Sequence, residues 1–284
     1  MSSLPTRDVL VDGVRLRVAD LGRGPALVLL HGLTASHAIW EHTIAAFAGG
    51  WRVIAPDLPG HGASAKPDAP YTIDFYAGMV RSLGRALGVE EAVVVGNSLG
   101  GQIAIELALW YPAWTRAVVL AAPAFAYPPA LRPFGRAIQA LTGQRVLRTA
   151  LEQGLQQSFH DRAKIGHQIT RQLLQDRLAD PDFPAFARAV ARSLGGILTA
   201  ESQPLERITQ PVLLTWGRED RLVRLARSVV LQQQIPHARL AVFDNCGHMP
   251  MLEQPTEFNR AVADFLTAVM AAPRVPAGAM AGGG

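Results

Sequence analysis

The stretch that most constrains the fold of this chain is an apolar run that ends in a glycine-flanked serine. It reads Val93-Val94-Val95-Gly96-Asn97-Ser98-Leu99-Gly100-Gly101. Three consecutive β-branched residues are typical of a strand buried on both faces, as in a parallel sheet. Gly96 and Gly100 lack a Cβ and so let a strand and a helix approach closely around the serine. The pattern predicts a strand–turn–helix unit that presents Ser98 at a sharp turn, which is the geometry of a nucleophile elbow.

Strand and helix patterns alternate along the first 124 residues. An Asp12-Gly13 turn between alternating apolar residues predicts a β-hairpin. Further apolar strands are predicted at residues 25–30, 51–55, 93–95 and 117–121, with helices at 74–87 and after Ser98. This alternation predicts an α/β fold with a mostly parallel, doubly wound sheet. Reactive side chains are then expected at the carboxyl ends of the strands, where Ser98 also lies.

The alternation stops after residue 124 and resumes near residue 211. In between, helical patterns separated by prolines occur at residues 131–140, 144–158, 165–178 and 186–200. Because a strand pattern returns at residues 211–217, this segment is interpreted as an insertion rather than as a separate C-terminal domain. We expect a core formed by residues 1–124 and 204–272, a helical cap at 125–203 that lies over the strand ends, and a flexible tail at 273–284.

Composition narrows the class of protein. Of 284 residues 49% are hydrophobic and 18% are charged, which is typical of a globular chain with a large core. Residues 125–203 carry ten Lys/Arg against six Asp/Glu, and so hold the whole net charge of +4. These arginines are dispersed among acids and form no platform with interleaved aromatic residues, so no nucleic-acid partner is expected. The short apolar runs predict no stable membrane insertion.

The termini and the single cysteine bear on location. The N-terminus lacks a basic segment followed by an apolar one, so secretion is not indicated. Cys246 has no cysteine with which to pair inside the chain, which suits a reducing compartment. We therefore expect a cytoplasmic protein in which Cys246 is a small buried thiol. A monomer or a homodimer is expected.

A serine hydroxyl needs a neighbouring base, which in turn needs a group that orients it. Of the eight histidines, His248 alone follows a predicted strand, residues 239–243, through a short loop to the strand-end rim. His31 ends a strand beside Gly32 and is interpreted as a residue that shapes the turn. Glu219 and Asp220 follow the strand that ends at Gly217. The order serine, acid, histidine is the one expected when the serine lies on such an elbow.

Acyl transfer also needs backbone donors for the developing oxyanion. The N–H groups of Leu99, which follows the nucleophile, and of Leu33, in the loop after His31-Gly32, are the candidates. The chain has no H-E-x-x-H, paired cysteines, G-x-G-x-x-G or G-x-x-x-x-G-K pattern. Neither a metal nor another cofactor is therefore expected.

The motifs together resemble those of the α/β-hydrolase family over nearly all of residues 8–270. The matching segments are His31-Gly32, Asp57-Leu58-Pro59-Gly60-His61-Gly62-Ala63-Ser64, Gly96-Asn97-Ser98-Leu99-Gly100-Gly101, Gly217-Arg218-Glu219-Asp220 and Gly247-His248. The resemblance implies the α/β-hydrolase fold, with a mostly parallel eight-stranded sheet and an inserted cap. It transfers the family's catalytic triad onto Ser98, Asp220 and His248, and its spacing favours Asp220 over Glu219 as the acid.

The resemblance also limits the reaction. Relatives that open epoxides or remove halogen use aspartate as the nucleophile, whereas this chain has Ser98. Asn97, directly before Ser98, is a feature in which the chain resembles the carbon–carbon bond hydrolases that act on aromatic ring-cleavage products. Those enzymes usually have glycine and proline after His-Gly and tryptophan after the catalytic histidine, where this chain has Leu33-Thr34-Ala35-Ser36 and Met249-Pro250.

We therefore expect hydrolysis of a carboxylic ester of a small to medium, largely apolar substrate through an acyl-enzyme. Carbon–carbon bond hydrolysis is the alternative, and a ligand receptor on a hydrolase scaffold is the alternative of another class. Asn97 and Met249 are candidate residues of the substrate pocket. The apolar cap positions that suggest an apolar pocket are Phe125, Tyr127, Phe134, Phe183 and Phe186.

Overall fold

Eight strands form one sheet in the computed structural model, which describes residues 4–125, 127–140, 154, 157–161, 182–201 and 203–271. The strands are β1 (Arg7–Val11), β2 (Val14–Leu21), β3 (Ala26–Leu30), β4 (Arg52–Pro56), β5 (Ala92–Asn97), β6 (Thr115–Ala121), β7 (Val212–Gly217) and β8 (Arg239–Phe243). Their order across the sheet is β1-β2-β4-β3-β5-β6-β7-β8. All pairs from β4 to β8 across the sheet are parallel, whereas β2 is antiparallel to both of its neighbours, β1 and β4. The predicted α/β fold with a mostly parallel sheet is confirmed.

The predicted hairpin at the edge of the sheet is present. Val11 of β1 pairs with Val14 of β2, and Asp12 and Gly13 between them both have positive φ angles. Two consecutive residues with positive φ define the turn that matches the twist of paired strands, and Asp-Gly is a favoured sequence for it.

Helices cover both faces of the sheet. They are α1 (Glu41–Phe47), α2 (Ile73–Ala86), α3 (Leu99–Trp110), α4 (Arg132–Ala140), α5 (Phe183–Thr199), α6 (Ala226–Gln234), α7 (Pro250–Glu253) and α8 (Pro255–Ala271). Residues of α2 and α3 belong to the apolar cluster on one face, and residues of α1 and α8 belong to the cluster on the other. Because both faces are covered, every residue of β5 is buried, as the sequence predicted for its three valines. No described helix is both long enough and apolar enough to cross a membrane.

Two of the helices expected in the cap, α4 and α5, lie within the described residues. The helix predicted at 165–178, and all but a few residues of the one at 144–158, fall outside them. Helix α5 contacts the core through Ser193, whose hydroxyl lies 2.7 Å from the Tyr76 hydroxyl. Phe186 and Val190 of α5 pack on Leu33, which lies in the loop after the carboxyl end of β3. The domain boundaries that the sequence suggests stay a prediction.

Candidate active site

Ser98 lies between β5 and α3 in a backbone conformation that a serine rarely adopts. Its φ and ψ angles are 54° and −112°, and such conformations are found mainly at functional sites. The surrounding backbone fixes this turn: Ser98 N–H donates to Ala121 O at 3.0 Å, and Ser98 O accepts from Gln102 N–H at 3.1 Å and from Ala124 N–H at 3.0 Å. Ser98 is partly exposed, whereas both its neighbours in the chain are buried. The structure thus contains the strained turn that the sequence predicted.

The two glycines that flank the elbow allow this turn because other backbone occupies the space of their missing side chains. A Cβ on Gly96 would lie 2.1 Å from Gly100 O, and a Cβ on Gly100 would lie 2.2 Å from Leu30 O. Both distances are far below any van der Waals contact. The strand, the turn and α3 can therefore pack only if both residues are glycine.

Asp220 and His248 meet at the carboxyl ends of β7 and β8. The Nδ1 atom of His248 lies 2.7 Å from Oδ2 of Asp220, and both residues are almost completely buried. The other carboxylate oxygen accepts the backbone N–H groups of Leu222 at 2.8 Å and Val223 at 2.9 Å. A carboxylate can only accept, so Nδ1 carries the proton of this bond and Nε2 of the neutral ring is left as a base.

The elbow and the histidine loop are joined by Asn97. Its side-chain amide donates to His248 O at 3.1 Å and to Ala121 O at 3.1 Å. The residue before Ser98 therefore contacts the backbone of His248. Among the described residues the Ser98 hydroxyl forms no hydrogen bond with the ring of His248. In enzymes without substrate such bonds are often long and tighten only in the bound complex.

The two candidate pocket residues are buried. Asn97 is fully buried, and its Oδ1 atom has no hydrogen-bond partner among the described residues. That oxygen faces Gly32, where a Cβ would come within 3.0 Å of it. Met249 belongs to the apolar cluster that also contains Phe159. Their role in substrate binding stays a prediction.

The candidate oxyanion donors lie on the two segments that border Ser98. Leu99 is the first residue of α3, where the N–H groups of a helix have no partner within the helix. Gly32 approaches Ser98 so closely that a Cβ there would lie 3.3 Å from Cβ of Ser98. The next residues are Leu33, which is partly buried, and Thr34, which has a φ angle of 66°. This loop therefore passes directly beside Ser98, as the oxyanion role of the Leu33 N–H requires.

His31 uses both of its ring nitrogens within the fold. Its Nδ1 atom lies 2.7 Å from Gly32 O, and its Nε2 atom accepts the N–H of Leu58 at 2.9 Å. An imidazole that accepts at one nitrogen and donates at the other is neutral and held in place. The interpretation of His31 as a residue that shapes the turn agrees with these contacts.

Sequence reasoning missed a second His–Asp pair on this rim, formed by the partly exposed His37 and the buried Asp57. Oδ1 of Asp57 accepts the backbone N–H of His37 at 2.7 Å and contacts its Nδ1 at 2.8 Å, while Oδ2 accepts the N–H of Ala63 at 2.7 Å. Burial alone would raise the pKa of Asp57, but the hydrogen bond and the charge of His37 outweigh it and lower that pKa to about 2. The pair ties the β3 and β4 loops together. Asp57 is the first residue of the motif at residues 57–64, whereas nothing in the sequence identified His37 as its partner.

Glu219, the competing acid, binds backbone rather than the imidazole. Its Oε2 atom accepts the N–H of Cys246 at 2.9 Å. Cys246 itself is fully buried, and burial followed by the charges of Glu253, Glu219 and Asp220 raises the pKa of its thiol. The predicted buried thiol is confirmed, and Asp220 is the acid in contact with His248.

The aromatic residues predicted for the pocket differ in exposure. Phe125 and Phe186 are buried, Tyr127 and Phe183 are partly buried, and Phe134 is 60% exposed. Phe134 lies on α4. In the part of the chain that the structure describes, no group of three or more His, Cys, Asp or Glu residues could hold a metal ion.

Comparison with known proteins gives concordant matches over most of the chain. The family model for the alpha/beta hydrolase fold matches residues 25–255. A 2-hydroxy-6-oxo-6-phenylhexa-2,4-dienoate hydrolase from Burkholderia cepacia is 34% identical over 274 residues, which covers 89% of this chain and 91% of the relative.

Two solved structures are similar along almost their whole length. A meta-cleavage product hydrolase (CumD) from Pseudomonas fluorescens IP01 is 28% identical with a TM-score of 0.77, and the match covers 92% of this chain and 97% of that one. An N-acyl homoserine lactone degrading enzyme is 30% identical with a TM-score of 0.77, and here the match covers 91% of this chain and all of the other.

Proposed function

The chain belongs to the α/β-hydrolase family, and from this premise we propose that it is a serine hydrolase with Ser98 as its nucleophile. His248 takes the proton of the Ser98 hydroxyl, and Asp220 holds the imidazole and stabilises its cation. The observation that carries the proposal is the buried 2.7 Å contact between Asp220 Oδ2 and His248 Nδ1, together with the hydrogen bond from Asn97, the neighbour of Ser98, to the His248 carbonyl.

The proposed reaction begins when Ser98 attacks the carbonyl carbon of the substrate. The negative charge that develops on the carbonyl oxygen is held by the backbone N–H groups of Leu33 and Leu99. His248 then donates its proton to the leaving group, which departs and leaves an acyl-enzyme. Water activated by the same imidazole hydrolyses this ester and restores Ser98.

The relatives favour a carbon–carbon bond hydrolase as the more specific proposal. They include a dienoate hydrolase at 34% identity and a meta-cleavage product hydrolase at 28%, and Asn97 before the nucleophile agrees with that class. This reverses the order in which the sequence alone ranked the two reactions. In such a reaction the leaving group is a carbanion, so it must be conjugated with a carbonyl group that accepts its charge. A 2-hydroxy-6-oxo-dienoate, as in the name of the 34% identical relative, meets this requirement after its 2-enol becomes the 2-oxo form, in which the carbanion is conjugated with the 2-oxo group through the remaining double bond.

Hydrolysis of a carboxylic ester remains the second candidate. It is supported by the likeness to the lactone-degrading enzyme at 30% identity, because a lactone is a cyclic ester. Met249, where carbon–carbon bond hydrolases usually have tryptophan, also favours it. We further propose that residues 125–203 form a cap that selects the small-molecule substrate.

The two candidates separate in a comparison of kcat/KM values. Aromatic ring-cleavage products are followed by loss of their visible absorbance, and p-nitrophenyl esters and lactones are assayed with the same preparation. The proposal predicts a kcat/KM at least tenfold higher for one or more ring-cleavage products. A higher value for esters would establish the second candidate. Ser98→Ala is the control, and its loss of all these activities is expected.

A further inference from the structure

The backbone N–H groups of three consecutive residues, the last of which is His248, each donate a hydrogen bond to a well-defined acceptor. Cys246 N–H donates to Glu219 Oε2 at 2.9 Å, and Gly247 N–H donates to Glu253 Oε1 at 2.8 Å. His248 N–H donates to Ser158 O at 2.8 Å. The position of the histidine loop, residues 244–248, is therefore determined by three acceptors. Two are the carboxylates of Glu219 and Glu253, and the third is the carbonyl of Ser158 in the inserted segment.

Glu253 differs from Glu219 because it also binds the inserted segment. Its second oxygen, Oε2, accepts the N–H of His160 at 2.7 Å. One carboxylate at the end of α7 thus joins the histidine loop to residues 157–161. A bond that spans two elements in this way couples their positions, since neither can move without losing an acceptor.

The atoms around Gly247, next to this carboxylate, are packed so closely that a side chain at residue 247 has no space. A Cβ on Gly247 would lie 2.8 Å from both His160 N and Ser158 O, and 2.9 Å from Glu253 Oε1. Phe159 is fully buried in the apolar cluster that also contains Cys246. Residues 157–161 therefore contact the histidine loop through the packing of Phe159 as well as through hydrogen bonds.

We propose that Glu253 is a positioning residue whose carboxylate couples residues 157–161 to the histidine loop and so fixes His248 for proton transfer. It acts through the backbone of Gly247 and His160, and it does not touch the reacting atoms. This inference rests on the proposed function, because it assigns a catalytic consequence to the position of His248.

The test is Glu253→Gln, which keeps the shape of the side chain but has only one acceptor oxygen. The amide nitrogen of glutamine would face an N–H donor, so the variant can hold Gly247 or His160 but not both. We expect kcat to fall about tenfold to a hundredfold, the effect of one hydrogen bond to a charged group. KM should change less than about threefold, because the substrate-binding groups are untouched. Glu257→Gln, an exposed glutamate on α8, is the matched control and should match wild type.

Amide hydrogen exchange supplies a readout that does not depend on turnover. In Glu253→Gln the Gly247 and His160 amides should exchange faster than in wild type, and in Glu257→Gln they should not. Faster exchange together with a lower kcat supports the inference. Unchanged exchange, or faster exchange with an unchanged kcat, would overturn it. A wild-type chain with no activity on any of the three substrate classes would refute the proposed function, and the positioning role would be rejected with it even if exchange showed the coupling.

Discussion

Replacing Asp57 with asparagine measures how much one buried carboxylate contributes to the stability of the rim. Asp57 is 1% exposed and accepts two backbone N–H groups in addition to its contact with His37. An asparagine fits the same space, but its amide nitrogen cannot accept these donors and its charge is zero. The variant therefore loses the interactions that hold the pKa of Asp57 low.

The magnitude follows from that pKa. It is lowered from 3.8 to about 2 in the folded chain, and each unit corresponds to about 1.4 kcal/mol, so the ionised carboxylate adds about 2–3 kcal/mol to the free energy of unfolding. Because the folded-state pKa is the lower one, this contribution is complete above pH 4 and is lost as the pH falls towards 2. About half of it should be gone at pH 3.

The assay is urea unfolding followed by tryptophan fluorescence at pH 7, 5, 4 and 3. The free energy of unfolding of Asp57→Asn should lie about 2–3 kcal/mol below that of wild type at pH 7, with a difference about 1 kcal/mol smaller at pH 3. Asp264→Asn, at an exposed position on α8, should stay within about 0.5 kcal/mol of wild type throughout. A difference between Asp57→Asn and wild type that is constant, or that grows, from pH 5 to pH 3 would refute the reasoning.

Other variants test the remaining contacts. Asp220→Asn removes the charge opposite His248 and favours the wrong ring tautomer, so kcat should fall by about 10⁴, and a loss below tenfold would contradict the assignment. Gly100→Ala places a Cβ 2.2 Å from backbone, so the variant should be insoluble or lower in Tm by more than about 10 °C. Gly78→Ala, where nothing lies within 4 Å of the added Cβ, should instead raise the free energy of unfolding by roughly 0.5–1 kcal/mol. Equal effects of the two glycine substitutions on stability would contradict the packing argument. Cys246 should not react with a disulfide reagent at pH 8 until urea unfolds the chain, because burial raises the pKa of its thiol. Rapid reaction in the native protein would show that the thiol is accessible.

The parallel sheet and the elbow could be predicted because their signals are local. Three valines before Gly96 specify a doubly buried strand, and the need for glycine at 96 and 100 follows from the turn itself. The order of Ser98, Asp220 and His248 added a constraint that spans the chain. Each of these inferences needs only the residue types at fixed positions along the sequence.

The contacts that support the site could not be predicted, because their partners are set by tertiary packing. His37 and Asp57 are twenty positions apart, and Glu253 and His160 are ninety-three apart. No periodicity relates such pairs. Phe134 shows the converse: it was grouped with pocket residues as an apolar side chain in the cap, yet it is largely exposed. Hydrophobicity identifies a residue that can be buried, and the surrounding helices decide whether it is.

The central claim is that Ser98 is the nucleophile and that His248 activates it. The most direct measurement is covalent labelling of the native protein with a fluorophosphonate, followed by mapping of the modified peptide by mass spectrometry. We expect the label on Ser98 alone, with no labelling in Ser98→Ala and labelling at least a hundredfold slower in His248→Ala. A label on any other serine, or equal labelling rates in wild type and His248→Ala, would contradict the claim.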